Sequence, residues 1–155
     1  MFPVKPKAEL TIPLTECIGP AFYDMHWDIL EGNHTYYDCI GGRGSLKSSD
    51  ISVEIVMGIM QDKDANALVY RKVGDTIGDS VYEQICWAID KLGVSDLWHC
   101  VKSPYRCIYK PTGQKIIFKG LDKAKKSKSV KTQFGYFKYL WFEELDEFNG
   151  AQELR

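Results

Sequence analysis

The run Gly41-Gly42-Arg43-Gly44-Ser45-Leu46-Lys47-Ser48-Ser49 constrains this chain most. A phosphate-binding loop asks for Gly, four residues, then Gly-Lys-Ser/Thr. Gly41 opens that pattern and Lys47-Ser48 close it, with Leu46 standing where a glycine is expected. In such a loop successive backbone N–H groups curl around phosphate oxygens, and the following helix adds its positive end. Gly41, Gly42 and Gly44 permit the close approach. Lys47 would reach the β- and γ-phosphates, Ser48 would place a hydroxyl on Mg²⁺, and Arg43 would add charge near the γ-phosphate. Ser45, Leu46 and Ser49 complete the candidate cradle. At φ > 0 a leucine costs about 1–2 kcal/mol. Leu46 is therefore expected in a helical conformation, at the start of the next helix. The competing reading is an ordinary glycine turn capped by Ser48.

The flanks favour the phosphate loop. His34 to Ile40 carries the β-formers Thr35, Tyr36, Tyr37 and Ile40 and predicts a strand. Ser48 to Gln61 predicts a helix, because Ile51, Ile55 and Ile59 recur at i+4 beside a second stripe of Val56 and Met60. Two stripes imply a helix buried over much of its surface. Ala67 to Arg71 predicts a second strand. A second helix follows from about Asp75 to Leu92, with capping-box spacing at Ser80 and Glu83 and a stop at Gly93. Tyr105–Tyr109 and Lys115–Lys119 flank Pro111-Thr112-Gly113 and predict a hairpin. Phe137 to Phe142 is an apolar strand that runs into Glu143-Glu144. Two acids at the carboxyl end of a buried strand lie where ligands of open α/β folds bind. The first would hold the Mg²⁺ shell and the second would orient the attacking water. The bland alternative is an acidic helix start.

At 155 residues and 45% apolar content the chain is one domain's worth of sequence. Pro3, Pro6, Pro13 and Pro20 forbid a long helix near the N-terminus. Residues 1–32 are therefore expected to form an arm and aromatic segment against a core at 33–155. No apolar run reaches membrane-span length, and the N-terminus lacks the apolar region of a signal peptide. A cytoplasmic location is expected. Cys17, Cys39, Cys86, Cys100 and Cys107 are odd in number and contain no C-x-x-C pair. They are read as reduced thiols, not as a disulfide framework or a zinc site. From Lys102 to Lys138 there are ten lysines and Arg106 against the single acid Asp122. Lys119, Lys123, Lys125, Lys126, Lys128 and Lys131 could meet backbone phosphates of a nucleic acid. The other reading of that stretch is a solvated loop, since it lacks interleaved aromatics.

Taken together, Phe22-Tyr23-Asp24-Met25-His26-Trp27-Asp28, the Gly41–Ser49 loop, Arg71-Lys72 with Ser80-Val81-Tyr82, and Trp141-Phe142-Glu143-Glu144 resemble the large subunit of tailed-phage terminases of the PBSX type. The resemblance implies an α/β P-loop NTPase of the ASCE class, with a mainly parallel sheet, helices on both faces and an inserted β-hairpin. It implies ATP and Mg²⁺ as ligands, with Arg43, Lys47 and Ser48 serving ATP. Glu143 and Glu144 become the Walker B acid and the catalytic glutamate. Double-stranded DNA, a terminase small subunit and the portal are the implied partners, in a motor that can be oligomeric. The family's chain continues into further ATPase strands and a nuclease. An incomplete ATPase core without a nuclease domain is thus expected, with weak or no turnover by this chain alone. The adenine-contacting glutamine of related motors has no counterpart upstream of the loop, since the first glutamine is Gln61. Phe22, Tyr23 or Trp27 could stack on adenine, although core packing is the commoner role for such residues. Two other readings stay open: a catalytically inactive fragment that binds nucleotide or a partner, and a small-molecule kinase, which the acidic pair disfavours.

Overall fold

The computed structural model describes residues 12–42, 44–121 and 130–144. Arg43 and Lys123, Lys125, Lys126 and Lys128 lie outside the described residues.

Among the described residues four α-helices, α1 (Leu14–Cys17), α2 (Tyr23–Glu31), α3 (Lys47–Gln61) and α4 (Glu83–Lys91), accompany five strands. The strands are β1 (Ala65–Arg71), β2 (Trp98–Lys102), β3 (Tyr105–Tyr109), β4 (Lys115–Gly120) and β5 (Tyr136–Phe142). They form a single sheet in the order β2-β3-β4-β1-β5. β1 runs parallel to both β4 and β5. β2/β3 and β3/β4 are antiparallel. The sheet is thus mixed, not mainly parallel. The predicted hairpin is present as β3 and β4, closed by Gly113 at φ 84. It extends into a meander because Trp98–Lys102 supplies one more antiparallel strand.

α3 is buried as its two apolar stripes require. Val53, Val56 and Ile59 are fully buried, and each such side chain stabilises the fold by about 1.5–3 kcal/mol. Val81, Ile85, Ala88 and Ile89 join them from α4 and the turn before it. Strand residues Ala67, Val69, Cys107, Ile116, Phe118 and Trp141 complete this core. They all lie on one face of the sheet, by the alternation of a strand. Tyr70, Ile117, Leu140 and Phe142 lie on the opposite face, half-buried or exposed.

The second predicted helix is broken into parts. A short turn at Gly74–Thr76 and a wide turn at Gly78–Tyr82 precede α4, with a kink at Asp79. Ser80 Oγ donates to the Thr76 carbonyl at 2.5 Å, so it is not the helix cap. The stop at Gly93 is as expected, with φ 69.

The strand predicted over His34–Ile40 is not formed. This segment is irregular, and Tyr36 and Ile40 are about nine-tenths exposed. β propensity alone cannot hold a strand without a neighbour for its ladder.

Two buried amides tie the layers together. Gln114 Nε2 donates to the carbonyls of Ile59 and Asp62, each at 2.9 Å, at the end of α3. Asn66 Oδ1 accepts the Lys115 N–H at 2.9 Å, while its Nδ2 donates to the Phe134 carbonyl at 3.1 Å. Parallel pairing then places Tyr70 beside Phe142. The next residue on each strand is a candidate for the site: Arg71 and Glu143.

Candidate functional site

The glycine loop delivers its residues to the N-terminus of α3. Gly44 has φ 80, and the Ser45 N–H donates to the Gly42 carbonyl at 3.3 Å, closing a tight turn. Leu46 does not adopt the helical conformation expected of it. Its φ is 62 and ψ is 9, in the left-handed region. The reason is geometric: the chain reverses there, so that the Leu46 carbonyl can accept the Asp50 N–H at 2.9 Å and open α3. This is the place where the loop pattern asks for glycine. Its side chain is 59% exposed, which leaves the cost in the backbone. Leu46→Gly is expected to raise stability by about 0.5–1 kcal/mol, once the extra freedom of glycine in the unfolded chain is offset. The denaturant midpoint measures it, and a lower midpoint would show that side-chain contacts outweigh the strain.

Lys47 turns back into the loop, and its ammonium donates to the Gly41 carbonyl. Gly42 stands open, since a Cβ there would meet nothing within 4 Å. Asp50, in the first turn of α3, accepts the Gly19 N–H at 2.8 Å and so fastens the N-terminal segment to the helix. Burial holds the Asp50 carboxyl above the usual range, opposed by that Gly19 bond.

Ser48 Oγ lies 3.3 Å from Glu143 Oε1, across 95 positions of sequence. The other oxygen of Glu143 accepts from Arg71 Nη1 at 2.6 Å. Arg71 Nη2 lies 3.2 Å from Glu144 Oε2, and Arg71 Nε donates to Thr76 Oγ1 at 2.6 Å. One guanidinium fork thus holds both acids of the pair. Arg71 and Glu143 are largely buried, while Glu144 is 47% exposed. Glu144 also has φ 52, so the backbone turns at that point. The Glu143 N–H donates to the Tyr70 carbonyl at 3.0 Å, which fixes where the strand ends and the acids begin.

Beside these groups opens a polar cleft of about 540 Å³. Ser48, Ser49, Glu143, Gln84, Glu83 and Trp87 are among the residues lining it. Gln84 Nε2 donates to Ser49 Oγ at 3.3 Å and couples α4 to α3. Hydroxyl and carboxylate oxygens at the Ser48–Glu143 corner are the hard donors that Mg²⁺ prefers.

The structure therefore brings Ser48, Ser49, Glu143 and Glu144 together at the carboxyl ends of β1 and β5, and sets Gly41, Gly42, Gly44, Ser45, Leu46 and Lys47 at the head of α3. The double contact of Arg71 and the position of Gln84 were not foreseen. Arg71 carried a signal, because it ends one strand as Glu143 ends its neighbour. Gln84 carried none. The candidate adenine partners are divided: Phe22 and Tyr23 pack against the core, and Trp27 is 54% exposed on α2. No helix among the described residues is long and apolar enough to cross a membrane.

Comparison with known proteins matches residues 33–154 to the family described as phage terminase large subunit. The large subunit of the terminase from Bacillus phage SPP1 is 38% identical over 143 residues, covering 92% of this chain and 34% of that protein. The PBSX phage terminase large subunit of Bacillus subtilis is 33% identical over 139 residues, covering 88% of this chain and 30% of that protein. The chain spans about a third of the length of these curated relatives.

Proposed function

The chain belongs to the phage terminase large-subunit family, and from that premise we propose that it binds Mg·ATP as the ATP-hydrolysing part of a DNA-packaging motor. One observation carries the reading. The hydroxyl of Ser48, behind the glycine loop, meets the carboxylate of Glu143, at the end of a distant strand. A P-loop ATPase needs that pairing of a loop hydroxyl with a strand-end acid to hold its metal.

The roles are assigned from the loop pattern, the acidic pair and the family. The loop amides of Gly41, Gly42, Gly44 and Ser45 surround the phosphates, and Leu46, Lys47 and Ser49 continue the cradle onto α3. Lys47 leaves the Gly41 carbonyl to pair with phosphate oxygens. Arg43 adds charge at the γ-phosphate. Ser48 and Glu143 would hold Mg²⁺, which when bound would supply positive charge to the phosphoryl oxygens. Glu144, the more exposed acid, positions the attacking water for in-line displacement. Arg71 holds the two carboxylates in register until substrate arrives. Double-stranded DNA, a small subunit and a portal are the partners this family role implies, and oligomeric assembly fits the same role.

Titration of the chain with Mg·ATP, followed by intrinsic tryptophan fluorescence to which Trp87 in the cleft contributes, tests binding. Glu144→Gln is expected to keep affinity within about threefold and to slow hydrolysis by 100-fold or more, as loss of a general base does. Unchanged turnover in that variant, or no binding by the unaltered chain, would sink the assignment.

A second reading has its own support. Residues 34–42 enter the loop without a strand ladder. A cradle reached through an unpaired segment is less preorganised, which favours a catalytically inactive fragment that binds nucleotide or a partner without turnover.

A further inference from the structure

Spacing alone marks Cys86, Cys100 and Cys107 as ordinary reduced thiols. The fold brings them together. Their sulfur atoms all lie within 4.8 Å of one another. α4 supplies Cys86, β2 supplies Cys100 and β3 supplies Cys107. Cys100 and Cys107 are directly paired across the β2/β3 ladder. Cys107 is fully buried, whereas Cys86 and Cys100 are half-buried.

We propose that these three cysteines form a structural site for a soft, thiophilic cation of the Zn²⁺ class. Thiolate sulfur selects such ions over the hard cations of a phosphate site. Zinc–sulfur bonds of about 2.3 Å place tetrahedral sulfurs about 3.8 Å apart, so closure needs a contraction of no more than about 1 Å. Rotation about the side-chain bonds of two half-buried cysteines supplies that. The partial exposure of Cys86 and Cys100 gives an entry path, which a cation site requires. The ammonium of Lys102 is close enough to offset part of the negative charge of the thiolates. Three protein ligands leave one tetrahedral position for water. Binding releases the thiol protons to solvent, with no change of oxidation state.

The consequence is mechanical. The cation would pin α4 to the β2/β3 meander. α4 also carries Glu83, Gln84 and Trp87 along the polar cleft. The proposal does not depend on that cleft binding ATP.

Co²⁺ titration of the reduced full chain tests it, since cobalt in a thiolate site gives a sulfur-to-metal charge-transfer band. One equivalent is expected to saturate the band, and Zn²⁺ is expected to displace it. Cys86→Ser and Cys100→Ser are each expected to weaken Co²⁺ binding by roughly 100-fold or more. Cys39→Ser leaves it unchanged. Zn²⁺ is also expected to raise Tm by several degrees in the unaltered chain and not in Cys86→Ser. Absence of the band in the unaltered, folded chain would overturn the proposal. So would a band of the same affinity in both Cys86→Ser and Cys100→Ser.

Discussion

Replacing Lys47 with alanine is expected to abolish Mg·ATP binding at ordinary nucleotide concentrations, weakening it by roughly 100-fold or more. Each charge-assisted hydrogen bond to a phosphate oxygen contributes about 1.5–3 kcal/mol, and 1.4 kcal/mol is tenfold in affinity. Lys47 is placed to make such bonds to two phosphates at once. Its present partner is the carbonyl of Gly41, in its own loop. Breaking that contact costs the fold little, so stability is expected to stay within about 0.5 kcal/mol. Calorimetric titration measures the affinity, and far-UV circular dichroism confirms that the variant is folded. Unchanged affinity in a folded Lys47→Ala protein would remove the glycine loop from the site and leave an ordinary turn. The experiment separates the loop from the acids, because Glu143 and Glu144 keep their hold on Arg71 in this variant.

Gly135→Ala is expected to destabilise the chain by about 3 kcal/mol or more. Gly135 has φ 65, and a Cβ there would lie 2.0 Å from the Asp64 carbonyl oxygen. That oxygen is backbone and cannot swing aside. It also accepts the Tyr136 N–H at 2.9 Å, the first bond that sets β5 against β1. Left-handed strain and the clash therefore fall on the register of one strand pair. That register puts Glu143 beside Arg71, so the loss should reach the site as well. Urea unfolding measures the change. Gly42→Ala is the control, since space is open there and stability should change by under about 0.5 kcal/mol. Equal effects in the two variants would mean that the β1/β5 register is not what Gly135 protects.

Much of this arrangement is legible without coordinates. α3 follows from two apolar stripes at helical spacing, and its burial follows from there being two. β1, β5 and the β3/β4 hairpin follow from β-formers between turn residues. Glu143-Glu144 attracted notice because an apolar strand ends on them. These are local patterns, set by the period of a helix or strand. Local preference and structure part where that preference needs a distant partner. His34–Ile40 has the residues of a strand and no ladder to join. Leu46 takes the glycine conformation because the reversal into α3 demands it, against its own preference. Ser80 and Glu83 have cap spacing, yet Ser80 bonds back to Thr76.

The glycine loop, the helix behind it and the strand that carries the acidic pair are all written in the order of residues. That order also carries the resemblance to the terminase large subunits. Which of these groups meet is set by the folded sheet. Parallel pairing of β1 with β5 joined Arg71 to both glutamates and brought Glu143 to Ser48 across 95 positions. Packing of α4 on the β2/β3 meander gathered three cysteines that no spacing rule connects. Side-chain chemistry and helical or strand period are written residue by residue. Proximity between distant residues depends on sheet order and register, which arise only when the whole core closes.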